Sequence, residues 1–188
     1  MEAKTKNRLT IIATVLLFMG PVVAAYLLSS GLIDYKPENT KNHGVFISPP
    51  VKLEDLTKAQ WTKDLLETWT LVRVVPTTCA NQCQQFEDEL NRYQRSLGHR
   101  ADKLHLMLIS DGFISEMPDT FPHIKKVSIE GNKQLKSELT RLSEQSMGEG
   151  HGLYVVAPEG FLMMAFTREN TSSEIIKDLS LLVKRKGD

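Results

Sequence analysis

The sequence predicts an α/β domain, a central sheet flanked by helices, preceded by one membrane-spanning helix at the N-terminus. Two observations lead to this prediction. Residues 9–28 (LTIIATVLLFMGPVVAAYLL) contain no charged side chain, and twenty helical residues span about 30 Å, the thickness of a bilayer core. Beyond them, β-branched runs alternate with segments of helical periodicity, as expected of a mixed α/β sheet.

The apolar segment divides the chain into four predicted parts. They are a cytoplasmic N-terminus (residues 1–8), a transmembrane helix (9–30), a polar tether (31–50) and a folded domain (51–186). A cleaved signal peptide is the alternative, but its apolar run is shorter, about 7–15 residues. Lys4, Lys6 and Arg8 precede the segment, and basic residues favour the cytoplasmic side. We therefore expect a single-pass protein of a bacterial inner membrane whose C-terminal domain faces the periplasm.

The composition argues against several functional classes. Basic and acidic residues number 23 each, and no long basic stretch is present, so nothing indicates a nucleic-acid partner. Two cysteines in 188 residues do not make a disulfide scaffold. The sequence also contains no Ser-His-Asp order, phosphate-binding loop or HExxH helix, which are the patterns of common hydrolases and nucleotide enzymes.

The predicted elements follow the order β-α-β-(β)-α-β-β-α. Residues 71–75 form a β-branched run, which favours a strand, and apolar residues recur at helical spacing over about 81–97. The next strand, 104–109, is apolar on nearly both faces, which is typical of a sheet covered on both sides.

The second half of the domain repeats this alternation. Its predicted elements are a loop (residues 110–124), a brief strand (127–129), a helix (133–146) and two further strands (153–156 and 161–166). Pro158 and Gly160 occupy favoured positions of a tight turn between the last two strands. Thr171 and Glu174 have the spacing of a capping box, so a final helix is predicted to begin there.

Cys79 and Cys83 lie where the first strand passes into the first helix. Both sulfurs can then face one side of the helix start, where backbone N–H groups and the helix dipole favour thiolate. Thiolates are soft ligands that suit copper(I), and the same spacing permits a disulfide. Three interpretations stay open: an inert bridge or idle thiols, thiol–disulfide exchange, and metal binding with a third ligand. A bridge over so short a loop removes little chain entropy, which weakens the first.

Two segments carry a resemblance to a known family. Residues 74–90 (VVPTTCANQCQQFEDEL), with the strand LHLMLIS, and residues 151–184 (HGLYVVAPEGFLMMAFTRENTSSEIIKDLSLLVK) resemble the SCO/SenC copper chaperones of cytochrome c oxidase. The resemblance covers about 50–185 and is closest to a divergent branch. It implies a thioredoxin-like fold and copper held by two Cys and one His, here Cys79, Cys83 and provisionally His151.

The sequence departs from the family pattern near both ends of this site. SCO proteins usually have proline after the second cysteine, where this chain has Gln84. Counting back from Pro158 without gaps, the family's histidine position falls on Glu149, and His151 lies two residues later. A shift of two residues keeps the same strand face. Thioredoxin-type exchangers differ from this chain in two ways. They have a proline before the strand that corresponds to Leu153, where this chain has none, and they use Cys-x-x-Cys, whereas three residues separate Cys79 and Cys83.

The remaining polar and sulfur-containing residues have ordinary structural explanations. His123 is predicted to be a reserve ligand, and His105 to be a packed or edge histidine of a strand. His43 is predicted to lie in the tether, and Met163-Met164 to be a pair of core residues. Glu87-Asp88-Glu89 is interpreted as the solvated face of the first helix. Trp61 and Trp69 are expected at the core or its lip, and Ser110-Asp111-Gly112 stands where the family has an acidic motif.

These observations lead to one functional hypothesis and two alternatives. We expect an accessory factor of cytochrome c oxidase biogenesis that binds copper or acts in thiol redox, with oxidase subunits or other assembly factors as partners. This is a chaperone or assembly role rather than an enzymatic one. The alternatives are a membrane-tethered thiol–disulfide oxidoreductase, and an assembly scaffold that keeps the fold without using the thiols.

Overall fold

The computed structural model describes residues 2–29, 42–75, 82–112, 120–145 and 152–184. The chain divides into two compact units, Met1–Lys41 and Asn42–Asp188. The described part of the first unit is a single helix, α1, Glu2–Ser29, which contains Pro21. Within the described ranges, no helix meets the combined length and hydropathy required of a membrane span.

The second unit is built on one six-stranded sheet in the order β1-β6-β5-β2-β3-β4. The strands are Val45–Lys52, Trp69–Val75, Leu104–Ser110, Ile124–Ser128, Leu153–Val156 and Phe161–Phe166, numbered β1 to β6 along the chain. β2, β3 and β4 run parallel, whereas β5, β6 and β1 each pair antiparallel with their neighbours. The predicted central mixed sheet is therefore present.

Helices cover the sheet on both faces. They are α2 (Leu53–Leu56), α3 (Gln82–Ser96), α4 (Lys133–Gln145) and α5 (Ser172–Lys184), with 3-10 turns at Gln60–Leu65 and Gly98–Lys103. Leu90 of α3 and Leu179 of α5 share one apolar core with Leu108 of the sheet. Leu135 of α4 packs into a second core with Met107. Because alternate residues of β3 enter opposite cores, this strand is apolar at nearly every position.

The predicted helices of the second unit and its final hairpin are confirmed. At the start of α5, Thr171 N–H donates to Glu174 Oε2 at 2.8 Å and Glu174 N–H donates to Thr171 Oγ1 at 3.3 Å, which is the expected capping box. In the turn between β5 and β6, the Ala157 N–H donates to the Phe161 carbonyl at 2.8 Å. Gly160 has a φ of +82° there, which glycine adopts without strain.

The structure corrects the predicted tether of residues 31–50. Its second part forms β1, which pairs antiparallel with β6 through Val45↔Ala165 and Phe46↔Met164. The register shifts between Phe46 and Val51, where Pro49 and Pro50 lie. Proline is tolerated at this position because an edge strand needs hydrogen bonds on only one side. The prolines that indicated a tether therefore belong to an edge strand.

The brief strand predicted at 127–129 is also longer and earlier than expected. β4 runs from Ile124 to Ser128 and pairs with β3 from Leu106↔Ile124 to Ser110↔Ser128. Lys125 and Lys126 interrupt the apolar pattern in the middle of this strand. The ammonium of Lys126 nevertheless faces the core, because a carboxylate from another element accompanies it there, as described below.

Candidate thiol and metal site

Cys83 is the second residue of α3 and is only 4% exposed. It packs in the same apolar cluster as Val75, the last residue of β2, and Leu90. In the structure Cys83 is disulfide-bonded. The other cysteine of the chain, Cys79, and the provisional ligand His151 both lie outside the described residues.

The described residues that flank these two segments are in direct contact. The Val74 N–H donates a hydrogen bond of 2.6 Å to the Gly152 carbonyl oxygen. Gly152 has a φ of +64°, and a Cβ added to it would lie 2.9 Å from the Val74 carbonyl oxygen. Only glycine satisfies both conditions. Val74 and Gly152 border in sequence the segments that carry Cys79 and His151, and these two bordering residues meet at the same end of the sheet.

The position of Cys83 has two opposing electrostatic effects on its sulfur. The first turn of an α-helix presents unpaired N–H groups and the positive end of the helix dipole, which favour an anionic sulfur. The apolar cluster around Cys83 disfavours that charge by desolvation. The balance between them depends on other charges buried close by.

Four such charges lie between the start of α3 and the sheet. Two belong to α3 and two to the strands below it, and we call them the charge layer: Glu87, Glu89, Arg73 and Lys126. Arg73 of β2 and Lys126 of β4 flank Leu108 of β3 in one transverse row of the sheet. The Lys126 ammonium lies 3.0 Å from Glu87 Oε1, and Arg73 Nη1 lies 3.4 Å from Glu89 Oε2. Glu87 is 0% exposed.

The charge layer corrects the interpretation of Glu87-Asp88-Glu89 as a solvated helix face. Asp88 is exposed, but Glu87 is fully buried and Glu89 is half-buried. Glu87 follows Cys83 by four residues, which places it on the same face of α3. A buried carboxylate needs a counter-charge, and Lys126 comes from a strand almost forty positions later, so the local sequence did not reveal it.

The charge layer is incompletely hydrogen-bonded. Arg73 Nε and Nη1 and both Glu87 carboxylate oxygens accept or donate no hydrogen bond of good geometry in the described structure. The guanidinium carbon of Arg73 lies 4.5 Å from the centre of the Phe86 ring, a cation–π contact. Burial lowers the pKa of Arg73, and the negative charge of Glu89 partly offsets this. Buried ion pairs of this quality contribute little to stability.

The structure does not bring His123 or His105 to Cys83, the cysteine that it describes. His123 is exposed, makes an edge-to-face contact with Phe121 and precedes β4. The strands β2 and β4 are both parallel to β3 and end level with each other, at Val75 and Ser128. Cys83 follows the carboxyl end, whereas His123 lies at the amino end, five residues or about 16 Å before Ser128 along the strand. His105 is also near the amino end, at the second position of β3, and is exposed.

His43 is not in a tether but at the entrance to the domain. Its Nδ1 lies 2.9 Å from Asp178 Oδ1, and its backbone N–H donates to Asp178 Oδ2 at 2.7 Å. The N–H of Gly44 donates to the same oxygen at 2.8 Å. Asp178 of α5 is 2% exposed. His43 therefore has a structural role that fastens the start of the folded unit to α5.

The remaining candidates also have structural roles. Asp111 forms an ion pair with Lys136 of α4, so it is not an unpaired acid at the site. Met164 is buried in the core, as predicted, whereas Met163 is only partly buried. Trp69 and Trp61 are partly buried at the margins of the two cores.

The described donors agree with a soft metal but do not complete a site. In the ranges that the structure describes, no cluster of three or more His, Cys, Asp or Glu side chains has the arrangement of a metal site. Once its disulfide is reduced, Cys83 would supply one soft sulfur donor in water-poor surroundings at a helix N-terminus, and a thiolate there suits copper(I). The further candidate donors, Cys79 and His151, lie outside the described residues.

Comparison with known proteins identifies the fold. A family model described as a transmembrane-like, thioredoxin-like C-terminal domain matches residues 69–185. No curated protein sequence matches the chain. Among solved structures, yeast Sco1 with copper bound has a TM-score of 0.50 and 18% identity, over 67% of this chain and 84% of that one. The likeness confirms the predicted thioredoxin-like fold.

Two other solved structures are similar at lower TM-scores. A second yeast Sco1 structure has a TM-score of 0.49 at 17% identity and covers 68% of this chain and 86% of its own. ScoI of Bradyrhizobium japonicum with copper bound has a TM-score of 0.44 at 20% identity, over 64% of this chain and 88% of that one.

Proposed function

Because this chain belongs to the family of transmembrane-like, thioredoxin-like C-terminal domains, we propose that it is a membrane-anchored accessory factor of cytochrome c oxidase biogenesis that handles copper(I). Cys83 in the first turn of α3 is the observation that carries the proposal. The bound copper of yeast Sco1, a protein of similar fold, supports it. The partners are oxidase subunits or other oxidase assembly factors.

In this proposal Cys79 and Cys83 hold the copper ion as thiolates, and His151 supplies the third ligand. The meeting of the two bordering residues in the Val74–Gly152 hydrogen bond supports this ligand set. Copper is a cargo to be received and passed on. Because Cys83 is disulfide-bonded in the structure, loading first requires a dithiol reductant. Its two thiols give two electrons and two protons to the pair and become a disulfide themselves.

The proposal also includes a membrane anchor at residues 9–30. The uncharged run 9–28 lies within the helix α1, and large apolar side chains of this helix, including Leu16 and Phe18, are exposed. An exposed apolar surface of this length is stable in lipid. The basic residues before it favour a cytoplasmic N-terminus and a periplasmic domain.

Protease protection tests this orientation. In spheroplasts of bacteria that express the chain, externally added protease should remove the domain and leave an N-terminal tag intact. Protection of the domain until the membrane is broken would contradict the proposed orientation. Release of the intact chain into the supernatant by a carbonate wash without detergent would contradict the anchor.

Copper(I) titration of the full chain in detergent tests the metal proposal. After reduction, we expect one copper(I) per chain in competition with a chromophoric chelator, binding lost in Cys79→Ser and Cys83→Ser, and weaker binding in His151→Ala. His123→Ala is the matched control, because His123 lies at the opposite end of the strands, and it should bind like the wild type. Unchanged binding in both serine variants would refute the copper site.

A thiol–disulfide oxidoreductase is the second candidate, because Cys83 is disulfide-bonded in the structure. In this role the reduced pair would transfer two electrons and two protons to a disulfide of an oxidase subunit or a partner chaperone, and would itself return to the disulfide. Catalytic turnover of a disulfide substrate by a chain that binds no copper(I) would favour this candidate.

A further inference from the structure

We propose that the buried Glu87–Lys126 pair is an electrostatic control element for Cys83. Lys126 stabilises negative charge on the sulfur, or on a copper–thiolate group, and Glu87 opposes it. The inference rests on the proposed function in one respect: the working form of the cysteine pair is anionic. Glu87 and Lys126 act through the sulfur and contact neither substrate nor metal, so both are positioning residues.

The geometry places the pair directly behind the cysteine. Cys83 and Glu87 are four residues apart on α3, where side chains face the same side with Cβ atoms about 6 Å apart. Both residues are buried, at 4% and 0% exposure. Lys126 extends from the sheet below α3, and its ammonium lies 3.0 Å from Glu87 Oε1. The two charges therefore act on the sulfur through protein rather than through water.

Stability alone does not account for the pair. Glu87 is fully buried, yet neither of its oxygens accepts a hydrogen bond of good geometry in the described structure. A buried carboxylate in this state carries a desolvation penalty that one ion pair only partly offsets. Apolar side chains at both positions would cover the same surface without that penalty. A control function explains why charged groups occupy positions that face an apolar core.

The neighbouring charges leave this pair as the adjustable one. Arg73 faces Glu89, which in turn accepts a hydrogen bond of 2.9 Å from the Tyr93 hydroxyl. This second pair carries one charge of each sign, so the whole charge layer sums to zero. Neutralising one member of the Glu87–Lys126 pair changes the charge of this layer by one unit about one helical turn from Cys83.

Variants of the two residues should therefore act in opposite directions. Glu87→Gln leaves the cation and should strengthen copper(I) binding, whereas Lys126→Met leaves the carboxylate and should weaken it. The double variant Glu87→Gln/Lys126→Met should return close to the wild type. At an effective dielectric constant of about 20, each single change should amount to roughly tenfold or more in the binding constant.

The full chain in detergent is measured in two ways. The first is copper(I) affinity by competition with a chromophoric chelator. The second is equilibrium with dithiothreitol, which gives two electrons and two protons to the disulfide and closes to its own cyclic disulfide. Glu87→Gln should shift this equilibrium toward the dithiol by about tenfold, which corresponds to about 30 mV, and Lys126→Met should shift it the other way.

Glu138→Gln is the matched control, because it neutralises a carboxylate that pairs with Arg141 on α4, against the other face of the sheet. It should change neither measurement. Shifts of the same sign in both single variants, or no shift in correctly folded variants, would overturn the inference. Should Lys126→Met not fold, Glu87→Gln and the double variant decide. If the wild type binds no copper(I), the proposed function fails and the dithiothreitol equilibrium alone decides this inference.

Discussion

The Val74 N–H and the Gly152 carbonyl oxygen form a hydrogen bond of 2.6 Å that joins the end of β2 to the start of β5. The contact is so close that a Cβ at position 152 would lie 2.9 Å from the Val74 carbonyl oxygen. The two backbones therefore meet at the end of the sheet where the cysteine loop begins. This relationship makes Gly152 the residue through which the start of β5 meets the end of β2.

Gly152→Ala should destabilise the domain and weaken copper(I) binding. The new methyl group meets backbone, and the positive φ is unfavourable for alanine, so we expect a loss of about 2–4 kcal/mol in the free energy of unfolding. Gly98→Ala is the control, since its φ is +60° but nothing lies within 4 Å of an added Cβ. Urea denaturation should show a smaller loss, about 1 kcal/mol. Equal losses would argue against the backbone clash.

Gly44→Ala should destabilise the entrance to β1. An added Cβ would lie 2.7 Å from Met164 Sδ and 2.9 Å from Phe166 Cε1, and both side chains are buried. Overpacking of this kind costs about 1–3 kcal/mol. Gly131→Ala provides the comparison for backbone strain without a clash, because its added Cβ meets nothing within 4 Å but its φ of +79° should cost about 1 kcal/mol. Thermal unfolding by circular dichroism measures both variants, and an unchanged midpoint in Gly44→Ala would contradict this prediction.

Asp178→Ala should release the start of the folded unit from α5. The Asp178 carboxylate accepts hydrogen bonds from the backbone N–H groups of His43 and Gly44. Its loss leaves two donors without their acceptor, and we expect a decrease of about 2–4 kcal/mol in the free energy of unfolding. The Gly44 amide hydrogen should exchange faster than in the wild type, through local opening that does not require global unfolding.

Lys177→Ala is the control for this change, because it is the adjacent, exposed position of α5. It should leave the exchange rate of Gly44 unaltered. Slow exchange of Gly44 in Asp178→Ala would show that the carboxylate does not hold this segment.

Stability should fall at alkaline pH because of Tyr154. Burial raises the pKa of the Tyr154 hydroxyl to about 12, above its ordinary value near 10 in the unfolded chain. Between these values the unfolded state has lost the proton and the folded state retains it. The free energy of unfolding is therefore unaffected below pH 10 and decreases as pH rises toward 12, by about 2–3 kcal/mol in total.

Urea denaturation between pH 9 and pH 12 measures this decrease. Tyr154→Phe should remove a large part of the slope while changing stability little at pH 8. Burial also raises the pKa of Tyr93, so a smaller slope should persist in the variant. An identical pH dependence in the variant and the wild type would mean that Tyr154 does not titrate in this way.

The sequence predicted the elements whose signals are local. The spacing of Phe86, Leu90 and Tyr93 indicated α3, and the capping residues Thr171 and Glu174 indicated the start of α5. Their hydrogen bonds join residues three or four positions apart, so a short window of sequence contains both partners. The same holds for the turn between β5 and β6.

The sequence did not reveal features that depend on distant partners. β1 is a strand because Val45 pairs with Ala165, and nothing near Val45 indicates that pairing. Lys126 faces inward because Glu87 lies above it, and each residue alone resembles a surface charge. His43 resembled a tether residue until Asp178 supplied its partner.

By itself, the sequence determined the periodicity of the helices, the spacing of Cys79 and Cys83 and the uncharged run at 9–28, because these are properties of neighbouring residues. Only the tertiary structure decided that Gly152 meets Val74 at the carboxyl end of β2 and that a neutral charge layer lies behind Cys83. Both depend on bringing together residues far apart in the chain. The free energy that does so comes from the two apolar cores, and its effect on a particular pair appears only when the whole sheet is assembled.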